Sequence, residues 1–274
     1  MTFPHHIIGL LKKSSGWTLC PEYEAVYNAY ITKPSDPDAE VDNAMVLGWV
    51  NDGVWVKKDG IWVLANHVAG ADSLRNWKSP SSTATAYNAP AWTQWAGYQG
   101  NGSNAYIDLN WNPAVNGVNY TLNSASVGVY VRNNLSAANA FDSGVLTAVG
   151  DILLSVHRYS SPDRAFMRMN SDSDDTPNFS GDERGMWIIN RDQSTSYDPY
   201  FNKSNLGEIS RNSTGLPNGN IYVFAYNNGG VAGGFGSHQL SVIFTGSGLT
   251  QTDIDNITDR FETRMDFHGT GVIP

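Results

Sequence analysis

The stretch "AGYQGNGSNAYIDLNW", Ala96–Trp111, carries a single formal charge, at Asp108. Its first half is mostly Gly, Asn, Gln and Ser. Its second half alternates, with Ile107, Leu109 and Trp111 apolar and Asp108 and Asn110 polar between them. Two readings compete: a loop built to hold a ligand, or a turn feeding the first strand of a β-sandwich. Period-two alternation marks a half-buried strand, so the second reading is favoured. Gly100 and Gly102 then serve the turn, and a ligand loop is to be sought later, between residues 191 and 230.

The same pattern continues along the chain. "STATAYN", "SASVGVYVRN", "DILLSVHRY", "RAFMRMN", "GMWIIN", "NIYVFAYN" and "QLSVIFTG" alternate more or less cleanly, with turn clusters such as "VNGVN" and "YNNGGVAGGFGSHQ" between them. About eight short strands at this spacing predict a mainly β fold, an antiparallel sandwich or jelly roll.

The flanks are different. Five of the nine tryptophans (Trp17, Trp49, Trp55, Trp62 and Trp77) fall in the first 80 residues. In "PSDPDAEVDNAMVLGWVNDG" Asp36 suits an N-cap, Pro37 the first helical position and Gly53 the C′ position, so a helix is predicted there. "VWVKKDGIWVLANH", residues 54–67, reads either as a hairpin turning at Asp59–Gly60 or as a helix. The unalternating run Trp62, Leu64, Ala65 favours the helix, although Gly60 inside it would cost about 1 kcal/mol relative to Ala. "GLTQTDIDNITDRFETRM" ends the chain with a helix over 250–266. Thr250 and Asp253 form a near capping box, Leu249 and Ile254 a staple, and Ile254, Ile257, Phe261 and Met265 one apolar stripe. The expected division is a helical, Trp-rich docking region over 1–80 and a sandwich with its closing helix over 81–274.

Charge excludes several functions. Charged residues make up 16% of the chain, against about 25% in an average soluble domain. The 27 Asn outnumber the 17 Lys plus Arg, and the formal net charge is −9. No basic footprint exists for nucleic acid or an anionic membrane. No apolar run reaches the ~18 residues of a spanning helix. No signal peptide is read at the N-terminus, where Lys12 and Lys13 follow the apolar run, so synthesis in a cytoplasm is expected. Cys20 is the sole cysteine, so no intrachain disulfide forms and a structural role is expected.

Motifs for chemistry are sparse. A sandwich glycosidase needs paired carboxylates at alternate strand positions, and no Glu-x-Asp-x-Glu string occurs. Asp182 and Glu183 are adjacent, which in a strand sends them to opposite faces. His157 stands alone in mid-strand. Neither a nucleophile elbow nor a phosphate loop is found. "NSDSDDTPNFSGDE" places Asn170, Asp172 and Asp174 like the start of a calcium loop, but Asp175 stands where that loop needs Gly. The default is a solvated acidic loop, with no metal or cofactor and no catalysis. Sugar sites combine aromatic faces with Asn, Asp and Gly groups. "RDQSTSYDPYFNKSNLG" and "YNNGGVAGG" supply Tyr197, Tyr200, Asn202, Asn227 and Asn228 as candidates on loops between strands.

"GYQGNGSNAYIDLNWNP", with Gly100, Gly102 and Tyr106, resembles the opening strand of concanavalin A-like, laminin-G-like jelly rolls. The order of "GVWVKKDGIWVLANH", "LRNWKSP" (Asn76–Lys78), "LNSASVGVYVRNN" and "GLTQTDIDNITDRFE" resembles structural proteins of tailed bacteriophages and prophages. That resemblance covers roughly residues 35–266. It implies a non-enzymatic virion component, associated with the tail or fibre or decorating the capsid, that displays a lectin-like sandwich. It also implies other virion proteins as partners and repeated copies, with a trimer expected. Trp49, Trp55, Trp62 and Trp77 are then docking candidates. The alternative is a glycan-binding adhesin contacting host-surface carbohydrate, and the second alternative an unrecognised glycosidase.

Overall fold

The computed structural model describes residues 18–134, 140–160, 163–173, 177 and 179–274, with backbone alone for 155, 157–160 and 163. Helices α1 (Pro21–Ala29) and α2 (Asp36–Asn51) precede strand β1 (Lys58–Val63). Four short strands follow: β2 (Thr85–Tyr87), β3 (Ala91–Thr93), β4 (Gly97–Gln99) and β5 (Tyr106–Asp108). A single helical turn, α3 (Pro113–Asn116), leads to β6 (Ala125–Val131), β7 (Ser143–Leu146), β8 (Asp151–Ser160), β9 (Asp163–Ser171) and β10 (Gly185–Arg191). Then come β11 (Asp198–Phe201), β12 (Ser204–Asn205), β13 (Tyr222–Val223), β14 (Tyr226–Asn228), β15 (Val231–Gly233), β16 (Gln239–Gly246) and helix α4 (Gln251–Phe267).

Among the described residues these strands form two eight-stranded sheets. The first runs β12-β11-β10-β6-β16-β4-β3, with β1 also on β16. The second runs β15-β14-β7-β13-β5-β2, with the β8–β9 hairpin on β7. Pairing is antiparallel except between β7 and β14. The mainly β sandwich expected from the alternation is present, with short helices before it and one helix after it.

Alternation sorts the side chains into two cores. From β6, Val127, Val129 and Val131 enter the core between the sheets, together with Ile107, Leu109, Trp187 and Ile243. Tyr130 points the other way, with Met186, Ile188, Val242 and Phe244, into a second core under the helices. The stripe Ile254, Ile257, Phe261 and Met265 completes that core from α4. The capping box at Thr250 and Asp253 is formed. Helix α2 begins one residue earlier than expected, with Ser35 at the N-cap position, and Gly53 takes its positive φ of 71° just past the end. Between α2 and α4, Arg264 Nε donates to Asp42 Oδ1 (2.5 Å) with both side chains fully buried.

The helix favoured for residues 54–66 is not there. A short 3₁₀ turn, Trp55–Lys57, leads into β1, which pairs with β16. Both faces of β1 are covered: Ile61 and Val63 meet the helices and Trp62 the inter-sheet core. A strand buried on both faces shows no polar alternation, which is why its sequence reads as helix. Asp59 stands at a bulge in β1, not at a hairpin tip. Its carboxylate accepts from the backbone N–H groups of Val118 (3.0 Å), Asn119 (2.9 Å) and Tyr120 (2.7 Å).

The four tryptophans offered as docking candidates are buried in the chain itself. Trp62 lies between the sheets, and Trp49, Trp55 and Trp77 lie between sheet and helices. The opening turn is also structural. A Cβ on Gly100 would fall 2.1 Å from the Gly236 carbonyl oxygen, and Gly102 has φ +68°. Asn101 Oδ1 closes the turn by accepting from the N–H groups of Ser103, Asn104 and Ala105.

Asp59→Ala removes the charge-assisted bonds from three backbone N–H groups and the Asn119 amide of one loop and is expected to cost about 2–3 kcal/mol in urea unfolding. Asp59→Asn keeps one acceptor oxygen and should cost less. A change below about 0.5 kcal/mol, the usual range for a neutral surface substitution, would show that other contacts hold residues 118–120.

Candidate functional site

On the second sheet, Ile107 and Val223 face the inter-sheet core, so their neighbours Tyr106, Asp108 and Tyr222 face outward. Tyr87 of β2 pairs with Tyr106 of β5, and Asp108 lies opposite Thr85 on one side and Tyr222 of β13 on the other. This register lines up three tyrosines across three adjacent strands. The Tyr87 and Tyr106 rings stack at 4.7 Å and 8°, and Tyr106 and Tyr222 lie 4.8 Å apart at 30°. Tyr222 is buried, Tyr106 half-buried, and Tyr87 on the edge strand is 42% exposed. One face of Tyr87 covers Tyr106; the other is turned to the sheet edge.

Asp108 sits beside this ladder. Its Oδ1 accepts from Asn110 N (2.7 Å) and its Oδ2 from Asn220 Nδ2 (3.2 Å). Asn110 reaches back to Thr85 Oγ1 (2.9 Å). Burial, then the Asp108 carboxylate and the two neighbouring phenols, push Tyr222 up to about 12. Burial, Tyr87 and Asp108 raise Tyr106 as well. Both phenols therefore remain neutral donors at physiological pH. Four non-glycine residues with positive φ flank the ladder: Asn88 and Ala89 after Tyr87, Asn110 after Asp108, and Phe224 after Tyr222. Such conformations persist only where surrounding structure holds them.

A cleft of about 360 Å³ opens at the neighbouring strands β7 and β14 of the same sheet, between Leu146–Ala148, Asn218–Gly219 and Asn227–Gly230. Its outer wall is the β14–β15 hairpin, turned by Gly229 and Gly230 with φ +59° and +92°. Two successive positive φ values are those of a type I′ turn. Rings, a carboxylate and amides on a solvent-facing sheet, beside an uncharged cleft, are suited to stacking on apolar ring faces and hydrogen bonding to hydroxyls.

The aromatic sugar candidates read from the sequence lie elsewhere. Tyr197 is buried between the sheets, its hydroxyl donating to Met167 O (2.9 Å), and Tyr200 is buried under the helices. Both flank or belong to β11, whose inward positions need large side chains. Asn202 turns the β11–β12 hairpin, accepting from Met186 N (2.8 Å). Asn227 and Asn228 do line the cleft. Asn227 is held within its turn, donating to Asn220 O and accepting from Gly230 N, whereas Asn228 is exposed. The ladder itself escaped sequence reading because it exists only through cross-strand register; its signal was Tyr87, Tyr106 and Tyr222 on the polar phase of three alternating strings.

Of the three calcium candidates the structure describes two. Asn170 is buried, accepting from Tyr120 Oη (2.6 Å) and donating to Thr121 O and Leu122 O. Asp172 is exposed, and Asp174 lies outside the described residues, as does the side chain of His157. Among the described residues no group of three or more His, Cys, Asp or Glu is placed to hold a metal ion. Cys20 is buried and free.

No protein-family model matches the sequence, and no curated protein gives a significant match. Solved structures do resemble the fold. Domain 4 of AbnA, an extracellular arabinanase from Geobacillus stearothermophilus, in complex with arabinotriose, matches with a TM-score of 0.55 at 10% identity, over 74% of this chain and 98% of that one. A Trypanosoma rangeli sialidase mutant displaying trans-sialidase activity gives 0.54 at 10% identity over 87% of this chain. Botulinum neurotoxin type C, whose cell entry depends upon two ganglioside molecules, gives 0.50 at 12% identity over 74% of this chain. The matches span 40% of the sialidase chain and 52% of the toxin chain. At these identities the likeness is one of fold.

Glycoside hydrolysis uses two carboxyl groups flanking the scissile bond. Asp142 and Glu183 do converge, but on His238. Nδ1 meets Asp142 Oδ1 (2.7 Å), Nε2 meets Glu183 Oε2 (3.0 Å), and all three side chains are buried. Asp142 precedes β7 of the second sheet; Glu183 and His238 precede β10 and β16 of the first. The cluster is a charged clamp between the sheets. Asp182, next to Glu183, points away and pairs with Arg184 (2.6 Å), which with its hydrogen bonds holds it down at about 2.

Burial alone would favour a neutral His238, but the two carboxylates outweigh it and push the ring up to about 10, from an ordinary 6.5. A group raised in the folded chain stabilises it fully below the unfolded value and loses that contribution as pH rises through the folded one. Unfolding free energy is therefore expected to fall by about a few kcal/mol from this group between pH 6.5 and 10. NMR of the histidine ring nitrogens should show His238 as an imidazolium at pH 8; a neutral ring there would remove the charged clamp.

Proposed function

We propose that this chain is a carbohydrate-binding module whose sugar-contacting surface is the Tyr87–Tyr106–Tyr222 ladder with Asp108. One observation carries the reading. Three tyrosines from adjacent strands stack on the outer face of the second sheet, beside a carboxylate whose hydrogen-bond partners are a backbone N–H and an amide. The open face of Tyr87 is a stacking platform, backed by the half-buried Tyr106, with Asp108 buried behind the ladder. The fold is shared with an arabinanase domain that holds arabinotriose, which supports the reading without assigning that sugar here. Binding without hydrolysis is part of the proposal, since Asp142 and Glu183 are both committed to His238.

The setting is the second part of the proposal: repeated copies, a trimer, displayed on a virion with other virion proteins. Its support is the order of sequence motifs from Gly53 to Glu262. With Trp49, Trp55, Trp62 and Trp77 inside the chain, contacts to such partners fall to other surfaces.

A glycan array is expected to give signals that Tyr87→Ala weakens about tenfold, since an aromatic contact is worth about 1 kcal/mol or more beyond its buried area. Tyr87 is exposed on an edge strand, so its circular dichroism and melting should stay at the parent values. Signals indifferent to Tyr87→Ala and Tyr106→Ala would move the site elsewhere. Native mass spectrometry tests the setting separately: a trimer is expected, and a monomer would remove the oligomer while leaving the binding surface as it is.

A further inference from the structure

The ladder and the cleft are joined by one residue. Asn220 donates its amide to Asp108 Oδ2 (3.2 Å) and accepts Asn227 Nδ2 on its own carbonyl (2.9 Å). Asp108 belongs to the ladder and Asn227 to the cleft, and Tyr222 and the cleft's Asn218–Gly219 lip share the run 218–223. A ligand laid along β13 from the ladder therefore passes over Asn220 into the cleft.

The cleft has polar groups to offer. Asn228 is exposed, and its side chain has no hydrogen-bond partner among the described residues. Asn218 is exposed and accepts from Asn112 Nδ2 (2.9 Å), and its own amide N–H groups have no acceptor among the described residues. The rim is apolar on both sides: Val149, just past Ala148, is 54% exposed, and Val231, just past Gly230, is 70% exposed. Apolar walls around unspent amides suit a ring with hydroxyls at its edge and C–H groups on its face.

Charge narrows the ligand class. No charged side chain lines the cleft. At the ladder the charge is Asp108, hydrogen bonded to amide groups and to no Lys or Arg. Recognition of a sugar carboxylate or sulfate draws on guanidinium or ammonium groups. Here the charge beside the ladder is a carboxylate, 8% exposed, on a chain whose net charge is −9.

We infer that the ligand is an uncharged oligosaccharide long enough to bridge the two places, with one unit stacked on the open face of Tyr87 and a later unit, past Tyr106 and Tyr222, seated in the cleft between Leu146–Ala148, Asn218–Gly219 and Asn227–Gly230. This deepens the carbohydrate reading above and rests on it. The exposed Ala148 on the cleft wall supplies a blocking variant, because Ala148→Trp fills the cleft from a surface position.

The test is calorimetric titration of the full chain with neutral gluco-, galacto-, manno- and arabino-oligosaccharides of one to four units, and with sialylated and uronic acid-containing counterparts. Affinity for at least one neutral series is expected to rise tenfold or more once the chain is long enough to reach from Tyr87 to the cleft, and then level off. Ala148→Trp should abolish that gain and leave single-unit binding at the parental level, while Tyr87→Ala weakens every length. Binding that is tightest for a sialylated or uronic chain, yet still lost on Tyr87→Ala, overturns the uncharged ligand and leaves the ladder standing. Affinity independent of length, or a length gain indifferent to Ala148→Trp, overturns the cleft as the second subsite. No binding to any sugar overturns this inference together with the carbohydrate reading.

Discussion

The central strands of the first sheet have no wet face. In β6, valines at 127, 129 and 131 fill the space between the sheets while Tyr130 turns into the helical layer. The same division holds for Trp187 and Ile189 against Met186 and Ile188, and for Ile243 against Val242 and Phe244. Each fully buried side chain of this size contributes about 1.5–3 kcal/mol over leaving it exposed. The helices are thus an obligatory lid, because without them Met186, Ile188, Val242 and Phe244 would face water together. The tryptophan-rich N-terminal segment is consumed in closing that lid. Surface chemistry built on strands is left to the outer face of the second sheet.

A chain with few charges places several of them at the joints between layers. Asp59 fixes the edge strand to the 118–120 loop, Asp42 and Arg264 join two helices, and His238 with Asp142 and Glu183 joins the two sheets. Buried pairs of this kind add little net stability over apolar substitutes, because desolvation offsets attraction. Removing one partner strands a buried charge, so each pair selects one relative placement of the elements it joins. The second sheet is held in register against the first by such a clamp, and the ladder depends on register. Tyr87, Tyr106 and Tyr222 meet only because β2, β5 and β13 pair as they do.

That dependence separates what could be read from the sequence from what could not. Period-two alternation in "SASVGVYVRN", "GMWIIN" and "QLSVIFTG" and the cap at Thr250 are local, and each is found where the sequence places it. Strand β1 was misread because burial on both faces erases the local signal that distinguishes strand from helix. Very short strands such as β3 and β12 carry too few residues for any period. The site fails for a different reason. Tyr197 and Tyr200 read as loop aromatics, but Tyr200 belongs to β11 and Tyr197 directly precedes it, and both side chains are buried in the cores. A cross-strand ladder has no local signature, since its members lie 19 and 116 residues apart in the chain.

The asparagines show how a polar composition divides between fold and ligand. Most of those near the site are already committed. Asn101 closes the opening turn, Asn110 ties β5 to β2, Asn170 holds the 121–122 loop, Asn202 turns a hairpin, and Asn220 and Asn227 bridge ladder to cleft. Asn tolerates positive φ better than other non-glycine residues, and Asn88, Asn110, Asn170 and Asn202 all adopt it. Turn chemistry therefore explains much of the Asn excess, and abundance of amides by itself points to no ligand. What distinguishes Asn218 and Asn228 is that their side-chain N–H groups have no acceptor among the described residues and that both residues line one uncharged cleft. A binding surface is recognised here by the polar groups the fold leaves unused, set beside rings it leaves uncovered.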